Sequence, residues 1–388
     1  MTGQRRAVRR IYLDYNATTP VHPEVVEAMS AFYRDKFGNP SSIHWAGRDV
    51  KGAMEKGREQ VALLLNCNPS EVVFTSGGTE ADNMAIKGVA AAFHDRGNHI
   101  ITFRTEHPAV LNTCLNLENR GYEITRLGVD RAGMPDLAEL EAAITGRTIL
   151  ISSMFANHET GTLLPAAGIG DIAARHRVCF HCDGVQAVGR VPIDFRGSGI
   201  GLLALSGHKI HAPKGIGALV IRKGVKLAPL IHGGPQERNR RGGTENVAGI
   251  VGLGKACELA MDEMSGESRR VAALRDRLEA EILASVPDAV INGEIIRRIP
   301  NTSNLSFPGL DADSLLLNLD LQGIAASSGS ACTSGVMKES PVLAAMGMER
   351  EHVRGAIRFS LGRETAEADI DYLLEVLPEI VHRLRTKQ

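Results

Sequence analysis

The sequence predicts an α/β protein with a mostly parallel sheet covered by helices, together with a smaller α+β domain. Short apolar segments alternate with longer amphipathic ones between Glu71 and Ile221, which is the pattern of strands and helices in a parallel sheet. Polar residues and glycines stand where the apolar segments end, as at a ligand-binding sheet edge. Near Cys257 this alternation stops and a long charged helical segment takes over.

The elements follow in order along the chain. A strand at 11–13 and helices at 22–32 and 47–65 come first. The predicted strands of the sheet are 71–74, 99–103, 123–127, 148–155, 178–182, 202–205 and 218–221, and the helices among them are 79–93, 108–120, 137–144 and 166–176. Helices at 247–283 and 364–384 dominate the remainder. We therefore predict a large domain of residues 19–262 and a small domain of residues 263–388, to which residues 1–18 also belong.

Composition narrows the class of protein. The chain has 388 residues, of which 43% are hydrophobic and 23% charged, as in ordinary globular proteins. A formal net charge of −1 gives no reason to expect nucleic acid or an anionic membrane as a partner. No apolar run is long enough to span a bilayer, and no hydrophobic signal core follows the basic first ten residues. We expect a cytoplasmic protein.

The six cysteines do not suggest a disulfide framework in a chain this long. Cys179 and Cys182 form a lone CxxC without the second pair that a zinc site would need. They lie in a predicted strand, whose alternation would point the two sulfurs to opposite faces. We expect them in the core, and we predict no certain metal site.

Lys209 is the strongest catalytic candidate from the residues alone. It follows the apolar strand ending at Leu205, in a Ser-Gly-His-Lys turn. A lysine at the end of a buried strand can lose part of its hydration, and its amine is then a nucleophile near neutral pH. Such a lysine can form a Schiff base with pyridoxal phosphate (PLP). The alternative is an exposed lysine in a turn.

Other polar residues follow predicted strands in the same way. The turn 75–79 offers backbone N–H groups and a helix N-terminus, which suits a phosphate, although such glycine turns also occur without one. Asp183 follows the strand 178–182, where it could cap a helix or pair with the pyridinium nitrogen of PLP. For His107 and Asn157 the alternatives are an exposed loop histidine and a turn-forming asparagine.

Six motifs in order resemble one known family. They are TSGGTE (75–80), TEHPAV (105–110), HCDGVQAVG (181–189), SGHKIHAPKG (206–215), RRGGTEN (240–246) and SSGSACTSG (327–335). This set is similar to the cysteine desulfurases of the NifS/IscS type, which belong to the class V aminotransferases among the fold-type I PLP enzymes. YLDYNATTP near the start and IRFSLGR (357–363) agree, so the resemblance covers nearly the whole chain.

The resemblance implies a set of residues around PLP. Lys209 would hold the cofactor as a Schiff base, and Thr244 would reach the phosphate from the partner subunit of a homodimer. The remaining implied cofactor contacts are Gly78, Thr79, Ser206 and His208 at the phosphate, His107 stacked on the ring, Asp183 at the ring nitrogen and Gln186 at the phenolic oxygen. Asn157 and Arg358 would hold the substrate carboxylate, with Asn39 nearby.

Cys332 is the implied catalytic cysteine. It lies among small and hydroxylated residues in 327–335, a composition that predicts a mobile loop able to carry sulfur. The resemblance implies that L-cysteine becomes L-alanine, that a persulfide forms on Cys332, and that His107 handles a proton. The sulfur would pass to an acceptor protein such as an iron–sulfur scaffold, where Cys332 could act as a transient iron–sulfur ligand.

Three alternatives to the desulfurase stay open at this point. A class V aminotransferase or lyase would share the cofactor site without needing Cys332. A selenocysteine lyase is closer, and a catalytically idle scaffold would only dock sulfur acceptors. One position departs from the family, because His158 stands where these enzymes often carry a second asparagine. The acceptor, whether for nitrogenase, general iron–sulfur assembly or tRNA thiolation, is not specified by the sequence.

Overall fold

The computed structural model describes residues 9–329 and 339–386, which contain twelve strands and twelve α-helices. The strands β1–β12 are Ile11–Tyr12, Val72–Thr75, His99–Phe103, Glu123–Leu127, Thr148–Met154, Cys179–Asp183, Leu202–Ser206, Gly217–Ile221, Val290–Ile291, Thr302–Ser306, Ile324–Ala325 and Ala356–Ser360. The helices α1–α12 are Pro23–Arg34, Trp45–Leu65, Gly78–Ala92, Pro108–Glu118, Leu137–Ala142, Ala166–His176, Gln236–Asn239, Val247–Ser285, Ala312–Leu321, Pro341–Ala345, Arg350–Arg354 and Glu367–Arg385.

The large sheet has seven strands in the order β2-β8-β7-β6-β5-β3-β4. Neighbouring strands are parallel from β7 to β4, whereas β8 runs antiparallel to both β7 and β2. Only residues 207–216 connect β7 to β8. Because a parallel return needs a crossover of a dozen or more residues, this short link forces the antiparallel direction. The predicted mostly parallel α/β sheet is confirmed.

Apolar side chains cover both faces of this sheet. The strand β7 is buried along its whole length, since Leu203 and Leu205 enter one core while Leu202 and Ala204 enter the other. This arrangement explains why the strands read as short continuous apolar runs in the sequence.

A second sheet system lies in the C-terminal part of the chain. Strands β12, β10 and β9 form an antiparallel sheet, and β1 pairs in parallel with β11. The N-terminal Ile11 and Leu13 share one apolar core with α9, α12 and the second half of α8. Helix α8 passes residue 262 without a break, packing on α1 and α2 at one end and on α12 at the other. The domain boundary at that residue stays a prediction.

The short elements β9, β11, α7, α10 and α11 were not predicted, because two to five residues carry too little periodicity to be recognised. Of the helices that the structure describes, none is both long enough and apolar enough to cross a membrane.

Candidate active site

A cavity of about 540 Å³ opens at the carboxyl ends of the parallel strands. It is lined from the turn after β1, from the start of α3, from the ends of β5, β6 and β7, and from β12. The sequence-predicted residues that line it are Gly78, Thr79, His107, Asp183, Gln186, Ser206, His208, Lys209 and Arg358. Strand ends therefore bring together residues that lie up to 280 positions apart in the numbering, from 78 to 358.

Lys209 stands in a short 3-10 turn, residues 207–209, directly after β7. Its ammonium donates to the backbone oxygens of Asn16 at 2.5 Å and Ala17 at 2.8 Å. Burial, and then the positive charges of Arg190 and Arg358, lower the pKa of Lys209 to about 7. A lysine with this pKa is about half deprotonated near neutral pH, and the free amine is the state that a Schiff base or a proton acceptor requires.

Asp183 ends β6, the neighbour of β7, and pairs in register with Ala204. One carboxylate oxygen accepts the N–H of Val185 at 2.9 Å, and no described residue donates to the other. Burial and the neighbouring Asp82 raise the pKa of Asp183 to about 6. A cationic group placed beside the free oxygen would stabilise the ionised form, so this carboxylate suits a protonated ring nitrogen.

The start of α3 forms the anion-binding end of the cavity. Within the described chain, nothing accepts from the backbone N–H groups of Gly78 and Thr79, and the helix dipole adds positive potential there. A Cβ atom at Gly78 would lie 2.6 Å from the Cγ2 of Val185, so only glycine fits that close approach. Ser206 and His208 line the same end of the cavity.

His107 caps helix α4, and its Nδ1 accepts the N–H of Ala109 at 3.1 Å. Because Nδ1 accepts a hydrogen bond, the proton of the neutral ring is on Nε2, and the ring presents an N–H donor there. Burial lowers the pKa of His107, which keeps the ring neutral. The ring of His158 packs edge-on against it, with ring centroids 5.4 Å apart.

Arg358 lies on β12 and faces the cavity from the opposite sheet system. It donates through Nη2 to Asp14 at 2.7 Å and through Nη1 to the backbone oxygen of His158 at 2.9 Å. Its Nε is buried and has no hydrogen-bond partner among the described residues. An orphaned guanidinium N–H beside an open cavity is suited to an anionic substrate group.

Asn157 does not line the cavity. Its side-chain oxygen accepts the N–H groups of Glu159 at 2.9 Å and Thr160 at 3.0 Å, and its amide donates to the backbone oxygen of Thr105 at 3.3 Å. The side chain therefore shapes the turn, and the residue that this turn presents to the cavity is His158. The predicted contact of Asn157 with the substrate carboxylate stays a prediction.

Two other predicted site residues, Thr244 and Asn39, also do not line this cavity. Thr244 lines a separate pocket of about 200 Å³ together with Thr75 and Ser76. Asn39 lies in the loop before α2, where its side-chain oxygen accepts the N–H of Ser41 at 2.9 Å. Cys332 lies outside the described residues.

The five described cysteines are poor sources of thiolate. Burial raises the pKa of Cys67, Cys114, Cys179 and Cys257 to about 12, and that of Cys182 well above its usual value. Cys182 lies in one core and Cys179 packs against the other, which confirms the predicted opposite faces. In the described ranges, no group of three or more histidine, cysteine, aspartate or glutamate residues could hold a metal ion.

Sequence reasoning gave no role to Asp14, Asn16, Asp82 and His158, which line the cavity. Asp14 and Asn16 belong to the YLDYNATTP segment, and His158 is the position that departs from the family. Asp82 comes one helical turn after Gly78, a spacing that places both on one face of α3. Burial raises the pKa of Asp82 to about 8, so it is mostly protonated at neutral pH.

Comparison with known proteins places this site in a family. The family model described as aminotransferase class-V matches residues 11–373. The chain belongs to the class V aminotransferase family. The cysteine desulfurase of Trichormus azollae is 53% identical over 375 residues, which cover 97% of this chain and 94% of that protein. The cysteine desulfurase IscS of Dictyoglomus turgidum is 50% identical over 378 residues, covering 97% and 96%.

A solved structure of a NifS-like protein has the same fold. It superposes with a TM-score of 0.92 at 39% identity, covering 97% of this class V chain and all of that chain. The fold-type I assignment is thereby confirmed, with Lys209 and Asp183 at the ends of adjacent strands.

The cavity fits PLP, the cofactor of this class V chain. Its volume of about 540 Å³ lies within the usual range for cofactor sites. The unpartnered N–H groups at the start of α3 suit the phosphate, and the free oxygen of Asp183 suits the ring nitrogen. Lys209 lines the same cavity, which makes a covalent link between its amine and the aldehyde feasible.

Proposed function

We infer that this chain is a PLP-dependent cysteine desulfurase, which converts L-cysteine to L-alanine and transfers the sulfur. The observation that carries this inference is the pair of Lys209 and Asp183, facing one cavity from adjacent strand ends in a chain about half identical to cysteine desulfurases. The five described cysteines are buried or packed in the core, which leaves Cys332 as the candidate sulfur acceptor.

Binding follows from the polar groups of the cavity. The start of α3, with Ser206 and His208, holds the phosphate, and Asp183 keeps the ring nitrogen protonated. Arg358 holds the substrate carboxylate through its unpartnered Nε–H and through Nη2, which here donates to Asp14. His107 lines the cavity with its Nδ1 occupied by the N–H of Ala109, so its ring would be able to stack on the cofactor and to donate through Nε2–H.

Proton transfer is assigned to Lys209. When bound, PLP supplies an electron sink that stabilises the carbanion left after the α-proton departs. The free amine of Lys209 would accept that proton at Nζ, and its lowered pKa suits proton transfer near pH 7. The carbonyl oxygens of Asn16 and Ala17 orient the amine by accepting from it.

Sulfur transfer is assigned to Cys332. Its thiolate attacks the substrate sulfur, a sulfur–sulfur bond forms, and the carbon–sulfur bond breaks with its electron pair going to carbon. A proton then completes the methyl group of alanine, so that the products are alanine and a persulfide on Cys332. The persulfide sulfur passes to an acceptor protein, and this delivery distinguishes the reaction from simple transamination.

A homodimer is part of the proposal. Phe37, Ile43 and Trp45 lie in and beside one loop before α2 and are 78%, 90% and 63% exposed, which is unusual for large apolar side chains. A second copy of the chain would cover them. Thr244 faces away from the cavity of its own chain, which fits a contact with the phosphate of the partner.

Several finer assignments accompany this proposal. We propose delivery of sulfur to iron–sulfur cluster assembly, in which Cys332 is the residue able to contact iron transiently. A cytoplasmic location and the division into domains of residues 19–262 and 263–388 are proposed on the sequence. The shared core of residues 11–13 with α9 and α12 supports joining the N-terminal residues to the second domain.

The deciding experiment is an assay of the PLP-loaded protein with L-cysteine. We expect alanine and sulfide in equal amounts when a thiol reductant is present. Transamination to a keto acid without sulfur release would reject the desulfurase. Parallel turnover of L-selenocysteine separates a desulfurase from a selenocysteine lyase, because the lyase would strongly prefer selenium.

A further inference from the structure

Arg190 lies behind the catalytic cavity without an anionic partner. Its guanidinium donates to the backbone oxygen and the side-chain oxygen of Gln186 and to the backbone oxygen of Tyr15. No carboxylate of the described chain lies within 4.0 Å of it. Burial, and then the charge of Arg358, lower the pKa of Arg190 to about 10, so it stays charged at neutral pH.

A partly buried cation without a carboxylate in contact loses hydration that carbonyl dipoles only partly replace. Arg190 is half-buried and borders a small cavity of about 60 Å³, which Lys209 and Glu267 also line. The negative charge of Glu267 offsets part of the positive charge of Arg190, whereas Arg358 opposes it. A cation kept in this setting beside Lys209 points to a role in the electrostatics of the site.

Hydrogen bonds connect Arg190 to the lysine through Gln186. The side-chain oxygen of Gln186 accepts from Arg190, while its amide nitrogen donates to the backbone oxygen of Asn16 at 3.0 Å. That same oxygen accepts from Lys209 at 2.5 Å. Arg190 thus fixes which end of the Gln186 amide is the donor, and its second amide hydrogen remains for the cavity that Gln186 lines.

We propose that Arg190 is a positioning residue that keeps Lys209 uncharged in the working enzyme and orients the amide of Gln186 toward the cofactor. This proposal rests on the proposed function, because it assumes that Lys209 carries PLP and accepts the α-proton. The mechanism is electrostatic repulsion between two cations in a poorly solvated region, added to the hydrogen-bonded orientation of Gln186.

Several other charged groups also act on the protonation of Lys209, in addition to Arg190. The groups that act on it are Arg358, which opposes its protonation, and Asp14 and Asp183, which favour it. His107, His158 and His208 line the same cavity, and burial lowers the pKa of each, so they are mainly neutral near pH 7. Without Arg190, Arg358 would be the remaining cation among these groups that opposes protonation of Lys209, while Asp14 and Asp183 would still favour it.

The test is a pH titration of the visible absorption of the PLP-loaded protein. This absorption reports the protonation of the imine nitrogen that joins Lys209 to PLP. We expect Arg190→Met and Arg190→Gln each to raise the apparent pKa of that nitrogen by about 1 unit, which is a tenfold change in proton affinity. Arg190→Lys keeps the charge and should stay within about 0.3 unit of the parent. Equal titrations of the parent and of both uncharged variants would overturn the proposal.

Arg222→Met is the matched control. Arg222 is likewise held by backbone oxygens, those of Phe195, Arg196 and Ile200, but it is not among the charges that act on Lys209. The Arg222→Met variant should titrate like the parent. A shift equal to that of Arg190→Met would show a general structural effect and defeat the proposal. Absence of any visible PLP absorption in the parent protein would instead reject the proposed function itself.

Discussion

Glu159 gives a sharp test of the electrostatics around the site. Its side chain is 1% exposed, and one oxygen accepts the hydroxyl of Ser340 at 2.5 Å. The other oxygen lies 3.8 Å from the Nε2 of His158, a ring that burial keeps neutral. Burial raises the pKa of Glu159 from 4.5 to about 7, so the folded protein holds a proton that the unfolded chain releases.

The sign and the size of the effect follow from this shift. Because the folded pKa is the higher one, the group contributes most below pH 4.5, and its contribution is lost as the pH rises through about 7. A difference of about 2.5 pKa units corresponds to about 3 kcal/mol of the free energy of unfolding. Glu159→Gln removes the ionisation while keeping an oxygen that can accept from Ser340, so the variant should escape this loss.

The assay is urea unfolding of both proteins at pH 5 and pH 8. Relative to the parent, the stability of Glu159→Gln should improve by about 2–3 kcal/mol between these pH values. Glu139→Gln, a change at an exposed glutamate on α5, serves as the control and should show a difference that hardly varies with pH. A pH-independent difference for Glu159→Gln as well would refute the reasoning, since it would mean that Glu159 ionises as in water.

Four further predictions concern the chemistry. Lys209→Ala should abolish both the visible absorption of covalently held PLP and the turnover of cysteine while the circular dichroism stays unchanged. Asp183→Asn should retain PLP but slow turnover by at least about 30-fold, corresponding to about 2 kcal/mol or more for a lost buried ion pair; steady-state rates measure this. Cys332→Ser should keep the spectral response to cysteine yet reduce alanine and sulfide to background, and wild-type rates would make Cys332 dispensable. Thr244→Ala should weaken PLP binding to the dimer without changing its elution volume in size exclusion; an unchanged affinity for PLP would remove Thr244 from the site.

The large sheet was predictable because most of its strands are buried on both faces and read as short apolar runs. The buried strand 99–103 agrees with the structure at both ends, and so does the edge strand 123–127, although that strand is half-exposed and carries charged residues. The direction of β8 was not predictable from that pattern, because an apolar run looks the same in either direction. It depends on the length of the connection after β7, which is a property of the chain between two strands.

Part of the site was predictable for a related reason. A polar residue directly after a buried strand has to emerge at the sheet edge, and this placed Lys209 and Asp183 correctly beside one cavity. Asn157 also follows a strand but does not line the cavity, and its predicted contact with the substrate stays a prediction. Its side chain satisfies backbone N–H groups of its own turn, a competition between local hydrogen bonds and ligand contact that a strand-end pattern does not reveal.

The contribution of the N-terminal segment shows where such local rules end. Tyr15 donates its backbone N–H to Ser360 of β12, so the segment is anchored on the small sheet system. From there the carbonyl oxygen of Asn16 accepts from the amine of Lys209 and from the amide of Gln186, which follow strands β7 and β6 of the large sheet. The orientation of Lys209 therefore depends on contacts between residues nearly 200 positions apart. These contacts use backbone oxygens, which every residue carries, so the identity of the side chains does not predict them. They become evident only from the folded arrangement of the two sheets.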